Sequence, residues 1–291
     1  MPGTFENLKE KHPCFAAGAK NNKGRIHLPV SPGCNIFCNF CKRNYNDTEN
    51  RPGVSRSVIS PREAVEAVRK AITLCPEITV AGVAGPGDAL ATPFALETFR
   101  LIKKEFPGII KCMSTNGLLL PDYADEIIDI GIDSLTVTVN AVAPEIQARI
   151  CEGIVYRGKF IAGREAAEIL IENQLSGIRK ISRAGITVKV NTVLIPEINA
   201  DHVPVTAKTV AEHGAGLYNI IPLIPQHKLS WCSTPGCSLL SRARAEAEKY
   251  IYVFRHCQRC RADAAGIPGI KDISRRIYIN PVIAENTFSH G

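Results

Sequence analysis

The sequence predicts an α/β fold, a partial (βα)6-type parallel barrel with N- and C-terminal extensions. Three observations carry this. Short apolar runs rich in Val and Ile alternate with helix-period segments from residue 61 to residue 254. Strands alternating with helices of that length imply βαβ units and a parallel sheet. Glycines and small polar residues gather just after the apolar runs, where folds of this class build their sites.

The elements follow in order. Ile26-His27-Leu28-Pro29-Val30 reads as a first strand, and Ser31-Pro32-Gly33 turns the chain into a cysteine-rich loop. Pro61 to Leu74 carries Ala64, Val65, Ala67, Val68 and Ile72 at helical spacing, with Ser60 as N-cap and Pro at the first helical position. Ile78 to Val83 is the second strand, Pro93 to Lys103 a helix, Ile109 to Met113 the third strand. Asp122 to Ile130 is a helix and Ser134 to Val139 the fourth strand. Glu165 to Ala184 is a long helix, Ile186 to Val190 the fifth strand, and Val203 to His213 a helix. Tyr218 to Ile221 is the sixth strand, and Leu239 to Phe254 a last long helix. This divides the chain into an N-terminal extension (1–23), the partial barrel (24–225) and a C-terminal extension (226–291).

Composition narrows the function. The 291 residues have 45% hydrophobic content, ordinary for a globular protein with a sizeable core. The net charge of +7 is scattered without a long basic run, so a solvated basic surface is expected rather than nucleic-acid binding. There is no run of eighteen apolar residues and no apolar secretory core after Met1, so neither a membrane span nor export is expected. Eleven cysteines, five of them in two tight groups, suit metal or redox ligands in a reducing cytoplasmic compartment better than a disulfide scaffold.

Cys34-Asn35-Ile36-Phe37-Cys38-Asn39-Phe40-Cys41 is the strongest signal. Three thiolates within eight residues can hold three irons of a cubane and leave the fourth open to an exogenous ligand. A structural zinc site needs a fourth ligand, for which Cys257 and Cys260 are the alternative source. The C-x3-C-x2-C spacing after a first strand, with Phe40 before the last cysteine, resembles the radical S-adenosylmethionine superfamily. That resemblance implies a barrel of the radical SAM kind, and Cys34, Cys38 and Cys41 as catalytic ligands of a [4Fe–4S] cluster whose open iron chelates S-adenosylmethionine. It also implies that Gly85, Pro86, Gly87 and Asp88 stand in the superfamily's glycine-rich segment against the cofactor. By position at strand ends, Ser114, Asn116, Asn140 and Asn191 are further cofactor-binding candidates, with turn residues as the alternative reading of each asparagine.

More ligands are present than one cluster needs. His12-Pro13-Cys14-Phe15, Cys34 to Arg43, Arg51-Pro52-Gly53-Val54, Gly82 to Asp88, Asn191 to Asn199 and Cys257 to Gly269 together resemble the branch of the superfamily that assembles the iron–sulfur core of the nitrogenase cofactor. The resemblance implies two further [4Fe–4S] clusters as substrates, with Cys14, His27 and Cys112 on one and Cys257 and Cys260 on the other. It implies their fusion around a carbide derived from S-adenosylmethionine, with one added sulfur. Implied partners are iron–sulfur donors, cofactor carriers or scaffolds of nitrogenase maturation, and an electron donor such as a ferredoxin.

There is one departure. Many relatives of this kind carry another cysteine shortly after the loop, and Asn44 to Glu49 has none. Asp47, Glu49 or water is left for that ligand position, and Glu49 is alternatively a proton acceptor in the catalytic set. The short basic tail after Gly269 reads as the stand-alone form. Two other functions compete: a radical enzyme whose auxiliary clusters serve a peptide or small molecule, and a non-catalytic iron–sulfur carrier.

Overall fold

The computed structural model describes residues 4–15 and 22–279. Helix α1 (Thr4–Lys11) precedes β1 (Gly24–His27). The cysteine loop carries β2 (Ile36–Cys38) and leads to the ribbon β3 (Asn44–Tyr45) and β4 (Val54–Ser55). Alternation then sets in with α2 (Pro61–Leu74), β5 (Ile78–Val83), α3 (Phe94–Glu105), β6 (Ile110–Thr115), α4 (Leu120–Ile130) and β7 (Ser134–Thr138). After α5 (Pro144–Ile150) come the hairpin β8 (Cys151–Tyr156) and β9 (Lys159–Ala162), then α6 (Gly163–Arg183) and β10 (Thr187–Leu194). The order closes with α7 (Val203–Glu212), β11 (Leu217–Pro222), α8 (Cys237–Ala247), β12 (Ala265–Ile267), β13 (Lys271–Asp272) and α9 (Ser274–Ile277).

The large sheet runs β11-β10-β7-β6-β5-β1-β12-β13. From β1 to β11 every pairing is parallel, as the predicted βα units require, and β12 adds antiparallel to β1. The outer strand faces pack on helices. Helix α2 buries Ala64, Val65, Ala67, Val68 and Ala71, and α3 buries Phe99 and Ile102. Each large buried side chain contributes about 2 kcal/mol. The start of α2 is the predicted one: Ser60 accepts from the Glu63 amide while the Glu63 carboxylate accepts from Ser60 N–H, a capping box. Helix α4 stops at Gly131, whose φ of +76° lets the Ile132 amide reach back to the Ile127 carbonyl.

Two expectations are corrected. The last long helix ends at Ala247 instead of Phe254. Beyond it Ile251 and Val253 are buried between exposed Tyr250 and Tyr252, a period of two, and Tyr218 pairs with Val253 as a short extension of the sheet edge. The first strand is Gly24–His27 instead of Ile26–Val30, because Leu28 to Val30 already peel away toward the cysteine loop. The hairpin over 151–162 was not anticipated. It turns at Arg157 and Gly158, both at positive φ, and pairs β8 with β2 to form a small sheet behind the cysteine loop. No helix among the described residues is long and apolar enough to cross a membrane.

Candidate active site

The inner face of the sheet is polar. Side chains alternate along a strand, so the residues between the helix-facing ones share a face. On that face Arg25 and His27 of β1, Cys112 and Ser114 of β6, Thr136 and Thr138 of β7, and Lys189 and Asn191 of β10 line one cavity of about 320 Å³. His12 and Cys14 enter it from the N-terminal segment, Phe40 and Cys41 from the cysteine loop, and Cys257 and Cys260 from the segment after α8. Four stretches far apart in sequence thus contribute thiols to one space.

The cysteine loop is pressed onto the glycine segment. The Gly87 and Asp88 amides donate to the Ser31 and Gly33 carbonyls at 2.7 and 2.8 Å. A Cβ at Gly87 would stand 1.9 Å from the Gly33 oxygen, so only glycine permits this approach. The thiols of Cys34, Cys38 and Cys41 are half-buried and feel one another's charge. Burial, with Asp88 adding to it, pushes Cys34 up to about 12. Cys38 is raised by a hydrogen bond with Cys151, its partner in the β2–β8 pairing, and then by burial. Burial also raises Cys41, against the opposing guanidinium groups of Arg43 and Arg51.

The two histidines of the cavity hold opposite tautomers. His27 Nδ1 lies 3.0 Å from the Arg261 carbonyl, which can only accept, so Nδ1 carries the proton and Nε2 offers a lone pair. A carbonyl behind the ring is the usual support of a metal-ligating histidine. Burial and the Arg25 charge push His27 down to about 4, which keeps it neutral. His12 Nδ1 instead accepts from the Cys14 amide at 3.1 Å, so Nε2 carries the proton. That buried Nε2–H has no acceptor among the described residues. His12 therefore offers a donor to the cavity and His27 an imidazole lone pair. Between His27 and Cys112 lies Gly82. A Cβ there would sit 3.5 Å from the His27 ring and 3.8 Å from Cys112 Cβ, so the missing side chain leaves the gap between the two donors open.

Two buried cations share the cavity. Lys189 is 6% exposed and Arg25 is 7% exposed, and among the described residues no carboxylate forms an ion pair with either. Arg25 donates to Cys260 Sγ at 3.2 Å and to the Gly266 carbonyl at 2.9 Å. Lys189 Nζ lies 5.3 Å from the Phe15 ring centroid. A cation–π contact returns about 2 kcal/mol when desolvated, against several kcal/mol for burying a charge unpaired. Both cations, like Thr136 and Thr138, went unnoticed in the sequence. The available signal was a single Lys inside the apolar run Ile186 to Val190.

Not every predicted residue faces the cavity. Pro86, Ser114, Asn191, Phe40 and Cys41 do, whereas Cys34, Cys38, Gly85, Gly87, Asp88, Asn116 and Asn140 stand outside its lining. The Asp88 carboxylate is buried and accepts from Leu90 N, Thr115 Oγ1 and Asn116 N. Asn116 caps the Leu118 amide and touches Asn35 and Cys34, and Asn140 accepts from the Val193 amide. These three fix the loops around the cofactor candidates, which is the turn reading of the asparagines. Glu49 also lies outside the lining, with its carboxylate held by Asn44, Asn46 and Arg51. Partial burial works to raise it, but those hydrogen bonds and the Arg51 charge hold it below the usual carboxylate range. Asp47 pairs with Arg56 and Arg275. Among the described residues no three His, Cys, Asp or Glu side chains converge as ligands of a single metal ion would. Cys75 and Cys151 are buried, as expected for packing thiols, and Cys237 is exposed.

Comparison with known proteins agrees with this geometry. Residues 28–210 match the Radical SAM superfamily model. The chain is 44% identical over 276 residues to the FeMo cofactor biosynthesis protein NifB of Methanocaldococcus infernus, covering 94% of this chain and 91% of that protein. It is 46% identical over 265 residues to the NifB of Methanocaldococcus jannaschii, covering 90% and 88%. Among solved structures, a radical SAM methyltransferase from Sphaerobacter thermophilus superposes with TM-score 0.55 at 17% identity, over 79% of this chain and 65% of that one. At that identity the likeness shows the fold alone. By the family match and by these relatives, the chain belongs to the radical SAM superfamily and, within it, to the NifB family of FeMo cofactor biosynthesis proteins.

Proposed function

We propose that this protein joins two [4Fe–4S] clusters into an [8Fe–9S–C] precursor of the nitrogenase cofactor, inserting a carbide from S-adenosylmethionine and one further sulfur. The observation that carries the reading is the convergence of Cys14, His27, Cys112, Cys257 and Cys260 on the cavity that Cys41 also lines.

The superfamily's own cofactors fit the residues present. Cys34, Cys38 and Cys41 sit on one loop with neighbouring charges, and the Arg43 and Arg51 groups offset the thiolates formed on iron binding. When bound, the cluster and S-adenosylmethionine supply one-electron cleavage of the sulfonium to methionine and a 5′-deoxyadenosyl radical. The chain's part is to position and shield. Phe40, Pro86, Ser114 and Asn191 present one apolar and one hydrogen-bonding flank to the cofactor. Cys14, His27 and Cys112 hold one substrate cluster, and Cys257 with Cys260 hold the other. Holding both in one cavity makes their fusion effectively intramolecular. A neutral imidazole grips iron less tightly than thiolate, which favours release of the product. Glu49 and Asp47 follow β3 on a short loop, their carboxylates held by Asn44, Asn46 and Arg51 and by Arg56 and Arg275, so either completes the second site only by giving up those partners, and water is the remaining choice. Delivery and removal then fall to iron–sulfur donor and carrier proteins of the maturation pathway, with a ferredoxin-type reductant.

The test is the fate of S-adenosylmethionine in reduced, cluster-loaded protein with no organic substrate. Formation of both S-adenosylhomocysteine and 5′-deoxyadenosine is expected, since methyl transfer and radical cleavage both act on bound clusters. 5′-Deoxyadenosine alone would overturn the carbide reading and leave a radical enzyme of another substrate.

A further inference from the structure

We infer that Lys189 and Arg25, with the Nε2–H of His12, form a cationic seat that positions a cluster substrate through its bridging sulfides and sets its charge. Lys189 is the decisive positioning residue. This rests on the reading that the cavity takes iron–sulfur clusters, and it assigns these three residues a task beyond ligation.

The argument starts from charge. Arg25 and Lys189 stand on strands β1 and β10, four places apart in the sheet, yet both turn into the same cavity. Neither has a carboxylate partner among the described residues, and the Phe15 ring is the neighbour recorded for the ammonium. A chain does not retain two buried cations in one cavity for stability, because each would be better replaced by an apolar side chain. Lys189 lines the same cavity as the ligand candidates Cys14, His27, Cys112 and Cys257, and its charge works to lower the pKa of each. Arg25 touches Cys260 directly. Iron binding strips the protons from four thiols, Cys14, Cys112, Cys257 and Cys260, and places four negative charges around two fixed positive ones. Sulfides of a cluster add hydrogen-bond acceptors, and His12 Nε2–H is a buried donor without one among the described residues. The occupant that satisfies all of these at once is a thiolate-bound, sulfide-rich cluster.

A cation beside a cluster stabilises its more reduced, more negative state, which gives a readout separate from turnover. The experiment compares full-length wild type, Lys189→Met and Lys189→Arg, metal-free and after anaerobic cluster loading. Melting is followed in both forms, and EPR-monitored redox titration follows the clusters. The cluster whose signal changes on adding S-adenosylmethionine serves as internal reference. Metal-free Lys189→Met is expected to melt higher than wild type, by about 3 °C, because an unpaired buried charge is gone. The midpoint of its other cluster signals is expected to shift negative, with the reference signal unmoved, and Lys189→Arg to restore the wild-type midpoint. Unchanged midpoints, or equal loss of melting temperature in metal-free and loaded Lys189→Met, would overturn the inference and leave Lys189 as a packing partner of Phe15. Wild-type protein that binds only the reference cluster would instead overturn the proposed function and this inference with it.

Discussion

His27 Nδ1 and the Arg261 carbonyl lie 3.0 Å apart, joining the first strand of the sheet to the segment that follows Cys260. One hydrogen bond thereby aims the imidazole lone pair into the cavity and fastens the C-terminal thiol pair beside it. Replacing His27 by Ala should reduce the iron held with Cys14 and Cys112, lowering cluster affinity by more than the about 10- to 100-fold that losing a ligand's supporting partner costs. Iron and Mössbauer analysis of loaded protein should show that deficit, while the S-adenosylmethionine-responsive signal persists. Full iron in the variant would exclude His27 as a ligand.

Cys38→Ala separates the radical site from the substrate sites. Production of 5′-deoxyadenosine should fall to background, with the remaining clusters still bound. The same variant also breaks the thiol contact with Cys151, so Cys151→Ala is the control. That control should keep most of the cleavage activity, since Cys151 is a buried thiol packed behind the loop.

Gly82→Val tests the gap between His27 and Cys112. The first atom of the new side chain meets ordinary contacts, the tightest being the Cys112 carbonyl at 3.4 Å. The folded, metal-free protein should survive with near-normal circular dichroism. Retained iron should drop by one cluster's share, because the branches occupy the space between the two donors.

Acid stability carries a signature of the α2 cap. Ser60, through backbone and side-chain hydrogen bonds, holds the Glu63 carboxyl below its usual 4.5. A depressed carboxyl contributes stability above its unfolded pKa and loses it as pH falls through the folded value. Ser60→Ala should cost about 1 kcal/mol, or about 2–4 °C of melting temperature, at neutral pH. The difference between wild type and Glu63→Gln should shrink as pH is lowered from about 5 toward 3. A difference independent of pH would mean that the cap bond is absent in solution.

The sheet was legible because its evidence is local. Val and Ile runs such as Ile78 to Val83 and Ser134 to Val139 are bounded by turns, and Ser60-Pro61-Arg62-Glu63 announces its own helix start. The cysteine loop was legible for the same reason, as its spacing sits within eight residues. What could not be read depends on neighbours far along the chain. Tyr250 to Phe254 continues a helical pattern in isolation and becomes extended only because Tyr218 offers it hydrogen bonds. Asn116 and Asn140 stand at strand ends like cofactor contacts, and their commitment to Leu118 and Val193 is a tertiary fact. Lys189 and Arg25 are single charges within short strands, and their common cavity emerges only when β1 and β10 curve toward each other.

The antiparallel seam of Arg25 with Gly266 and Ile26 with Ala265 has a consequence for the protein's birth. The parallel strands and the cysteine loop are complete once residue 222 has emerged, but the wall bearing Cys257 and Cys260 is hung on a seam made by the last strands to be synthesised. Domains fold from the N-terminus as the ribosome releases them. On the proposed reading, a nascent chain can therefore hold its radical-site loop early, while its substrate chamber stays unwalled until translation nears its end. Cluster loading would then follow synthesis, and a chain stalled before Ala265 would expose its interior donors without the wall that completes the chamber.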